Sequence, residues 1–249
     1  MALKRPGLRQ RLAPRWLLRT LLARRGSILA TLGQEWRHNL GVVRETRRLV
    51  PLLMGDAAAL HIQACVCAAK RLDGVMAEAG VLMGGSARLI CEAKGDAILH
   101  LFDVFETLEP CGSRHIPEAS EIRAHFGDVH GRRDQVGRLL APYDGVSLHP
   151  GIFPASTAGL EDERFSFVHI DVDLPQSTRD ALTFFHPKLV AGGIIVGDDY
   201  NDPGVRGVFT DFFASLGDTL VGLPWGQVMV IKLGDSPSHG DEQFRRAPA

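Results

Sequence analysis

Between residues 165 and 200 two apolar runs each end in carboxylates, and that pairing limits what the chain can fold into. The first, Phe165-Ser-Phe-Val-His-Ile170, stops at Asp171-Val172-Asp173, and the second, Leu189-Val-Ala-Gly-Gly-Ile-Ile-Val196, stops at Gly197 and then Asp198-Asp199. Between them Ala181, Leu182, Phe184 and Phe185 recur at helical spacing. A strand–helix–strand unit of this kind is right-handed with parallel strands. Both acidic clusters are therefore expected at the same sheet edge, where ligands of open α/β sheets bind. Carboxylates gathered there repel one another unless a cation lies among them, and Mg²⁺ prefers carboxylate oxygens. The competing structural explanation is an Asp-rich turn, since Asp is common in loops and at helix N-caps.

Upstream, the run 74–86 (Gly74-Val-Met-Ala-Glu78-Ala-Gly80-Val-Leu-Met-Gly84-Gly85-Ser86) followed by residues 87–93 has the order strand, glycine loop, helix. Glycines let the backbone approach a ligand closely, and the helix start offers N–H groups and a positive dipole end. The spacing is not GxGxxG, and glycines also end strands for steric reasons alone. A second apolar run, Ala97-Ile-Leu-His-Leu-Phe102, ends at Asp103, 19 residues after Gly84. Nucleotide-binding folds place a ribose-binding carboxylate at about this spacing, although Asp103 and Glu106 also suit ordinary strand-end charges.

Charge is unevenly spread. Residues 1–25 carry Lys4, Arg5, Arg9, Arg11, Arg15, Arg19, Arg24 and Arg25 with no acid, a charge of +8 that leaves −9 for the rest of a chain of net −1. Leu12, Trp16, Leu17, Leu18, Leu21 and Leu22 share this segment, and Arg11, Arg15 and Arg19 form an i, i+4 stripe. Such a helix can lie on an anionic membrane, dock on an acidic partner, serve as a targeting sequence, or pack on the acidic body of its own or a second copy. Arginines interrupt its apolar part, which argues against a secretory signal, and the expected compartment is the cytoplasm. No apolar run approaches the roughly 20 residues of a membrane span. Cys65, Cys67, Cys91 and Cys111 do not suggest a disulfide framework in 249 residues and are expected as buried thiols.

The expected organisation is a basic helical arm over 1–50, one catalytic domain over 51–234 and a disordered tail over 235–249. Residues 52–71 predict a buried helix after Pro51, and 104–134 a polar lid or substrate loop. Residues 134–141 predict a short helix and 146–149 a short strand. Residues 219–223 and 227–233, joined by Pro224-Trp225-Gly226, predict a closing hairpin.

At this point the residues resemble a family. Glu78-x-Gly80-x-x-x-Gly84-Gly85-Ser86, Phe102-Asp103-x-Phe105-Glu106 and His169-Ile-Asp-Val-Asp-Leu174 are similar to the macrocin-type (TylF/MycF) O-methyltransferases. So are Ser177-Thr178, Phe185-x-Pro187-x-Leu189-Val-x-Gly-Gly193, Asp198-Asp199-Tyr200, Pro203-Gly204-Val205-Arg206 and Gly226-Gln227, in a match over residues 50–233 that is densest from 165 to 206. The resemblance implies a Rossmann-like class I methyltransferase fold of α/β class, with a seven-stranded, mostly parallel sheet and a C-terminal antiparallel hairpin. It implies S-adenosylmethionine and Mg²⁺ as cofactors and sugar hydroxyls of macrolide-type natural products as acceptors. Carried over, Gly80, Gly84, Gly85 and Ser86 would hold the methionine end of the cofactor, Glu78 would support their loop, and Asp103 would take the ribose hydroxyls. Asp171, Asp198 and Asp199 match the metal-binding positions. The chain departs from the family at Pro175, at Ala155 and over residues 105–110, which puts the acceptor in question more than the reaction.

The expected activity is a metal-dependent O-methyltransferase acting on a small hydroxylated acceptor, with no nucleic-acid partner and with homo-oligomers or membrane contact through the arm left open. Asp171 is the expected catalytic base, with Asp173 as the other candidate. His169 and His186 suit packed core histidines, and Arg206 either a cation near the metal or a solvated surface residue. A metal-dependent hydrolase or phosphotransferase would need neither the glycine loop nor Asp103. A non-catalytic scaffold recruited by the arm would not need intact acids at all three metal positions.

Overall fold

The computed structural model describes residues 32–105 and 131–234. The chain divides into two compact units, 1–38 and 39–249. Of the first, residues 32–38 are described, and they include the start of α1 (Glu35–Leu49). The basic segment 1–25, the tail 235–249 and most of the expected lid lie outside the described residues.

In the second unit α2 (Asp56–Ala69) leads into β1 (Val75–Ala79), α3 (Gly85–Lys94), β2 (Leu99–Asp103), α4 (Arg133–Leu140) and β3 (Val146–Pro150). Then come a short 3₁₀ turn at Ala155–Thr157, β4 (Phe165–Ile170), α5 (Pro175–Lys188), β5 (Leu189–Gly197), α6 (Pro203–Phe213), β6 (Thr219–Gly222) and β7 (Val228–Ile231). The seven strands form one sheet in the order β3-β2-β1-β4-β5-β7-β6, parallel except where β7 pairs antiparallel with β5 and β6. This is the Rossmann-like methyltransferase sheet that the sequence resemblance implied.

Central parallel strands are covered on both faces and so read as continuous apolar runs. β4 is buried along its whole length. Neighbouring residues serve opposite faces: Met76, Phe167 and Ile194 pack with Ile62 and Val66 of α2, Ile90 of α3 and Val136 of α4. Ala77, Val168 and Ile195 pack with Leu182 and Phe185 of α5 and Val205 and Phe209 of α6.

One element limit and one whole element differ from the sequence expectation. α2 starts at Asp56, after the extended Gly55, rather than just past Pro51. α6 was not expected at all, yet its signal is present: Asp202 caps it by accepting from Gly204 N (2.7 Å) and Val205 N (3.0 Å), with Pro203 at its first position.

At the end of β1 the chain must turn beside the end of β4. Gly80 has φ +87°, and a Cβ there would lie 1.7 Å from the carbonyl oxygen of Asp171. No side-chain rearrangement relieves a clash with backbone. Gly80→Ala is expected to cost about 3 kcal/mol or more, lowering Tm by roughly 6–12 °C, as read by thermal unfolding.

Candidate functional site

The sheet ladder itself brings the acidic residues together. Glu78 lies opposite His169 on the next strand, and His169 opposite Val196. The ladder extends one step past the strands: Asp171 N donates to Ala79 O (2.8 Å) and Asp198 N to Ile170 O (2.9 Å). The backbones of Asp171 and Asp198 are therefore fixed relative to each other by the sheet. Asp173 and Asp199 sit on the loops that follow, with φ of +57° and +54°.

Two overlapping groups have ligand atoms within 4.8 Å of one another: His169, Asp171 and Asp198, and Asp171, Asp173 and Asp199. The expected triad of Asp171, Asp198 and Asp199 is thus distributed over both groups, joined through Asp171. Burial, with the charges of Asp198, Asp199 and Asp173, pushes Asp171 well above the usual carboxylate range, against the pull of His169. Burial and a shared hydrogen bond with Asp199, reinforced by the charges of Asp199 and Asp198, raise Asp173 to about 7. Burial acts to raise Asp198 too, but His169, Gln227 and the Asp199 amide hold it below its ordinary value.

His169 is fully buried, and its Nδ1 lies 2.8 Å from Glu78 Oε1. Its Nε2 lies 3.8 Å from Asp198 Oδ2, an ion-pair distance and too long for a hydrogen bond. Burial disfavours the imidazolium, but Asp198 and Glu78 outweigh it and raise the pKa to about 10. His169 Nε2 and Glu78 Oε2 are buried with no hydrogen-bond partner among the described residues. His169 is therefore part of the cluster rather than an ordinary packed core histidine. Oxygen donors from four carboxylates, with an unpartnered ring nitrogen aimed at one of them, fit a hard divalent cation. His186 is elsewhere, paired with Asp218 at 2.5 Å, and Arg206 is exposed on α6.

One strand away lies the glycine loop. Gly84 is left-handed (φ +82°) and precedes the first turn of α3, which has no side-chain cap, and Ser86 is buried there. A Cβ on Gly85 would meet Pro51 O at 2.9 Å, so this glycine also answers to chain packing. Asp103 is engaged by the same loop: Oδ2 accepts from Val81 N (2.7 Å) and Leu82 N (2.8 Å), and Oδ1 from Phe105 N (2.9 Å). Glu78, expected to support the loop, instead bonds His169. The four non-glycine residues with positive φ among the described residues are Leu82, Phe105, Asp173 and Asp199. They follow β1, β2, β4 and β5, so backbone strain concentrates at this edge, as it does at functional sites.

Beside Asp198 and Asp199 opens a cleft of about 200 Å³, lined further by Asn201 and Asp202 and by Leu53, Met54 and Trp225. Sequence reasoning gave no site role to Trp225, Gln227 or His61. Gln227 is buried, donates to Asp198 Oδ2 at 3.3 Å, and accepts through Oε1 from Trp225 Nε1 (3.0 Å) and His61 Nδ1 (2.9 Å). An amide opening an apolar strand run was the available signal.

A family model described as macrocin-O-methyltransferase (TylF) matches residues 38–219. The chain is 30% identical over 165 residues to the 8-demethyl-8-(2,3-dimethoxy-alpha-L-rhamnosyl)-tetracenomycin-C 4'-O-methyltransferase of Streptomyces olivaceus, covering 61% of this chain and 63% of that one. It is 30% identical over 162 residues to the mycinamicin III 3''-O-methyltransferase of Micromonospora griseorubida, covering 59% of this chain and 63% of that one. The chain thus spans less than two thirds of the length of these curated relatives. Among solved structures, the O-methyltransferase NovP aligns with TM-score 0.60 at 23% identity, over 72% of this chain and 81% of that one. A methyltransferase from Geobacter sulfurreducens aligns with TM-score 0.51 at 15% identity, over 86% and 97%. Both share the fold.

Because Asp103 anchors two loop amides, Asp103→Ala is expected to cost about 2–3 kcal/mol of stability. Amide hydrogen exchange should show protection lost at Val81 and Leu82. Unchanged exchange there would mean that Asp103 does not hold the loop.

Proposed function

Because the chain belongs to the macrocin-O-methyltransferase (TylF) family, we propose that it moves a methyl group from S-adenosylmethionine to a sugar hydroxyl of a glycosylated natural product. In this proposal Asp171, Asp198 and Asp199 hold a divalent cation such as Mg²⁺. The observation that carries the reading is the meeting, at one edge of adjacent strands β1, β4 and β5, of the glycine loop and four carboxylates. The two curated relatives act, by their names, on a rhamnosyl tetracenomycin and on a mycinamicin, which supports the acceptor class.

S-adenosylmethionine, when bound, would supply an electrophilic methyl on a sulfonium, whose sulfur would keep the carbon–sulfur pair on leaving. A divalent cation would lower the pKa of the acceptor hydroxyl and orient its oxygen. Asp171 takes the hydroxyl proton at a carboxylate oxygen. Gly80, Gly84, Gly85 and Ser86 let the backbone and the start of α3 face the methionine carboxylate. A carboxylate offers about four acceptor positions; Asp103 fills three with backbone amides, leaving one on Oδ1 for a ribose hydroxyl. Glu78 orients His169 behind Asp198. Leu53, Met54 and Trp225, together with the polar Asn201 and Asp202, line the cleft that would receive the acceptor.

Calorimetric titration with S-adenosylhomocysteine, with Mg²⁺ and then with EDTA, tests the cofactor assignment. Micromolar-range binding is expected, weakened in a folded Asp103→Asn variant that loses the anionic acceptor. No binding under either condition would overturn the cofactor assignment.

A further inference from the structure

The amide of Gln227 stands between the acidic edge and the cleft wall, and its orientation is fixed from both ends. The Trp225 indole N–H can only donate, so the atom facing it is Oε1; the carboxylate of Asp198 can only accept, so the atom facing it is Nε2. Reversing the amide would set donor against donor at Trp225 and acceptor against acceptor at Asp198. The third contact agrees: His61 Nδ1 lies 2.9 Å from Oε1 and must carry the proton there. Burial lowers the His61 pKa against the hydrogen bond to Gln227, so Nε2 of the neutral ring is left as an acceptor. It lies 3.3 Å from the Cys65 sulfur, whose thiol burial pushes up to about 12, so the thiol keeps its proton.

The backbone holds this unit in place. Tyr200 N donates to Gly226 O (2.8 Å) and Leu223 N to Gln227 O (2.8 Å), which seats the β6–β7 turn against the segment that follows Asp199. Gln227 itself is fully buried, whereas Trp225 is 40% exposed on the cleft. The polar chain therefore runs from a solvent-facing ring, through one buried amide, to a carboxylate at the reaction edge.

We propose that Gln227 is a positioning residue whose buried carboxamide locks Asp198 to Trp225, so that the carboxylate and the aromatic wall of the cleft hold one geometry and respond to each other. The inference rests on the reading that Asp198 serves the reaction site. It does not require that Gln227 touch cofactor, cation or acceptor.

The test uses the full chain labelled with ¹⁵N-tryptophan, in which three indole N–H signals are expected and Trp225→Phe identifies the one that matters. In metal-free protein, Asp198→Asn should shift the Trp225 indole signal. In a Gln227→Met background the same Asp198→Asn change should leave it still, because the amide that carries the coupling is gone. A shift of equal size in both backgrounds, or none in the wild-type background, overturns the proposal. With Mg²⁺ alone as the probe, Gln227→Met should bind about tenfold more weakly than wild type, as removal of a group that orients a ligand generally does; unchanged affinity overturns it. If the wild-type protein takes up no Mg²⁺, the cation assignment falls, and the metal-free indole comparison still decides the role of Gln227. If Gln227→Met does not fold, the same comparison is made in a Gln227→Leu background, with the same outcomes for and against.

Discussion

Charge repulsion among Asp171, Asp173, Asp198 and Asp199 is the constraint on which the functional edge is built. Two carboxylates about 4 Å apart near a protein surface repel by about 4 kcal/mol, whereas a typical hydrogen bond contributes about 1 kcal/mol net. Ladder bonds at Asp171 N and Asp198 N fix the backbones but cannot offset that repulsion. The cluster must hold protons or a cation. The raised pKa values of Asp171 and Asp173 are the protonic answer. His169, raised to about 10, is the cationic answer from behind, and a divalent ion in front would complete it.

The same edge concentrates backbone strain. Leu82, Phe105, Asp173 and Asp199 hold positive φ at four successive strand ends, while Gly80 exists because Asp171 O occupies the space of a side chain. The glycine loop and the acidic loop are thus built against each other by direct backbone packing. Asp103, at the end of β2, adds a second tie by gripping the loop amides. A substitution at Gly80 is therefore expected to disturb both the glycine loop and the acidic loop.

Much of this was legible in the sequence because two periodicities are strong there. The buried strands at 165–170 and 189–197 read as apolar runs, and parallel pairing then determines that Asp171 and Asp198 meet. The closing hairpin was readable from Pro224-Trp225-Gly226 for similar reasons. Partners across the sheet were not legible: nothing local tells Glu78 that it will face His169 rather than its own loop. Gln227 was visible in the Gly226-Gln227 match but its role was not, because that role depends on His61 and Asp198, which lie 166 and 29 residues away. α6 was overlooked although Asp202-Pro203 marks its start, because the acidic cluster just before it invited a chemical reading of the whole segment.

Transfer of labelled methyl from S-adenosylmethionine to a panel of rhamnosylated polyketides, with Mg²⁺ and with EDTA, tests the central claim most directly. Label on a sugar hydroxyl, abolished in Asp171→Asn and lost with EDTA, is the expected result. Label transferred to a nitrogen or carbon of the acceptor, or transfer that Asp171→Asn leaves undiminished, would contradict it.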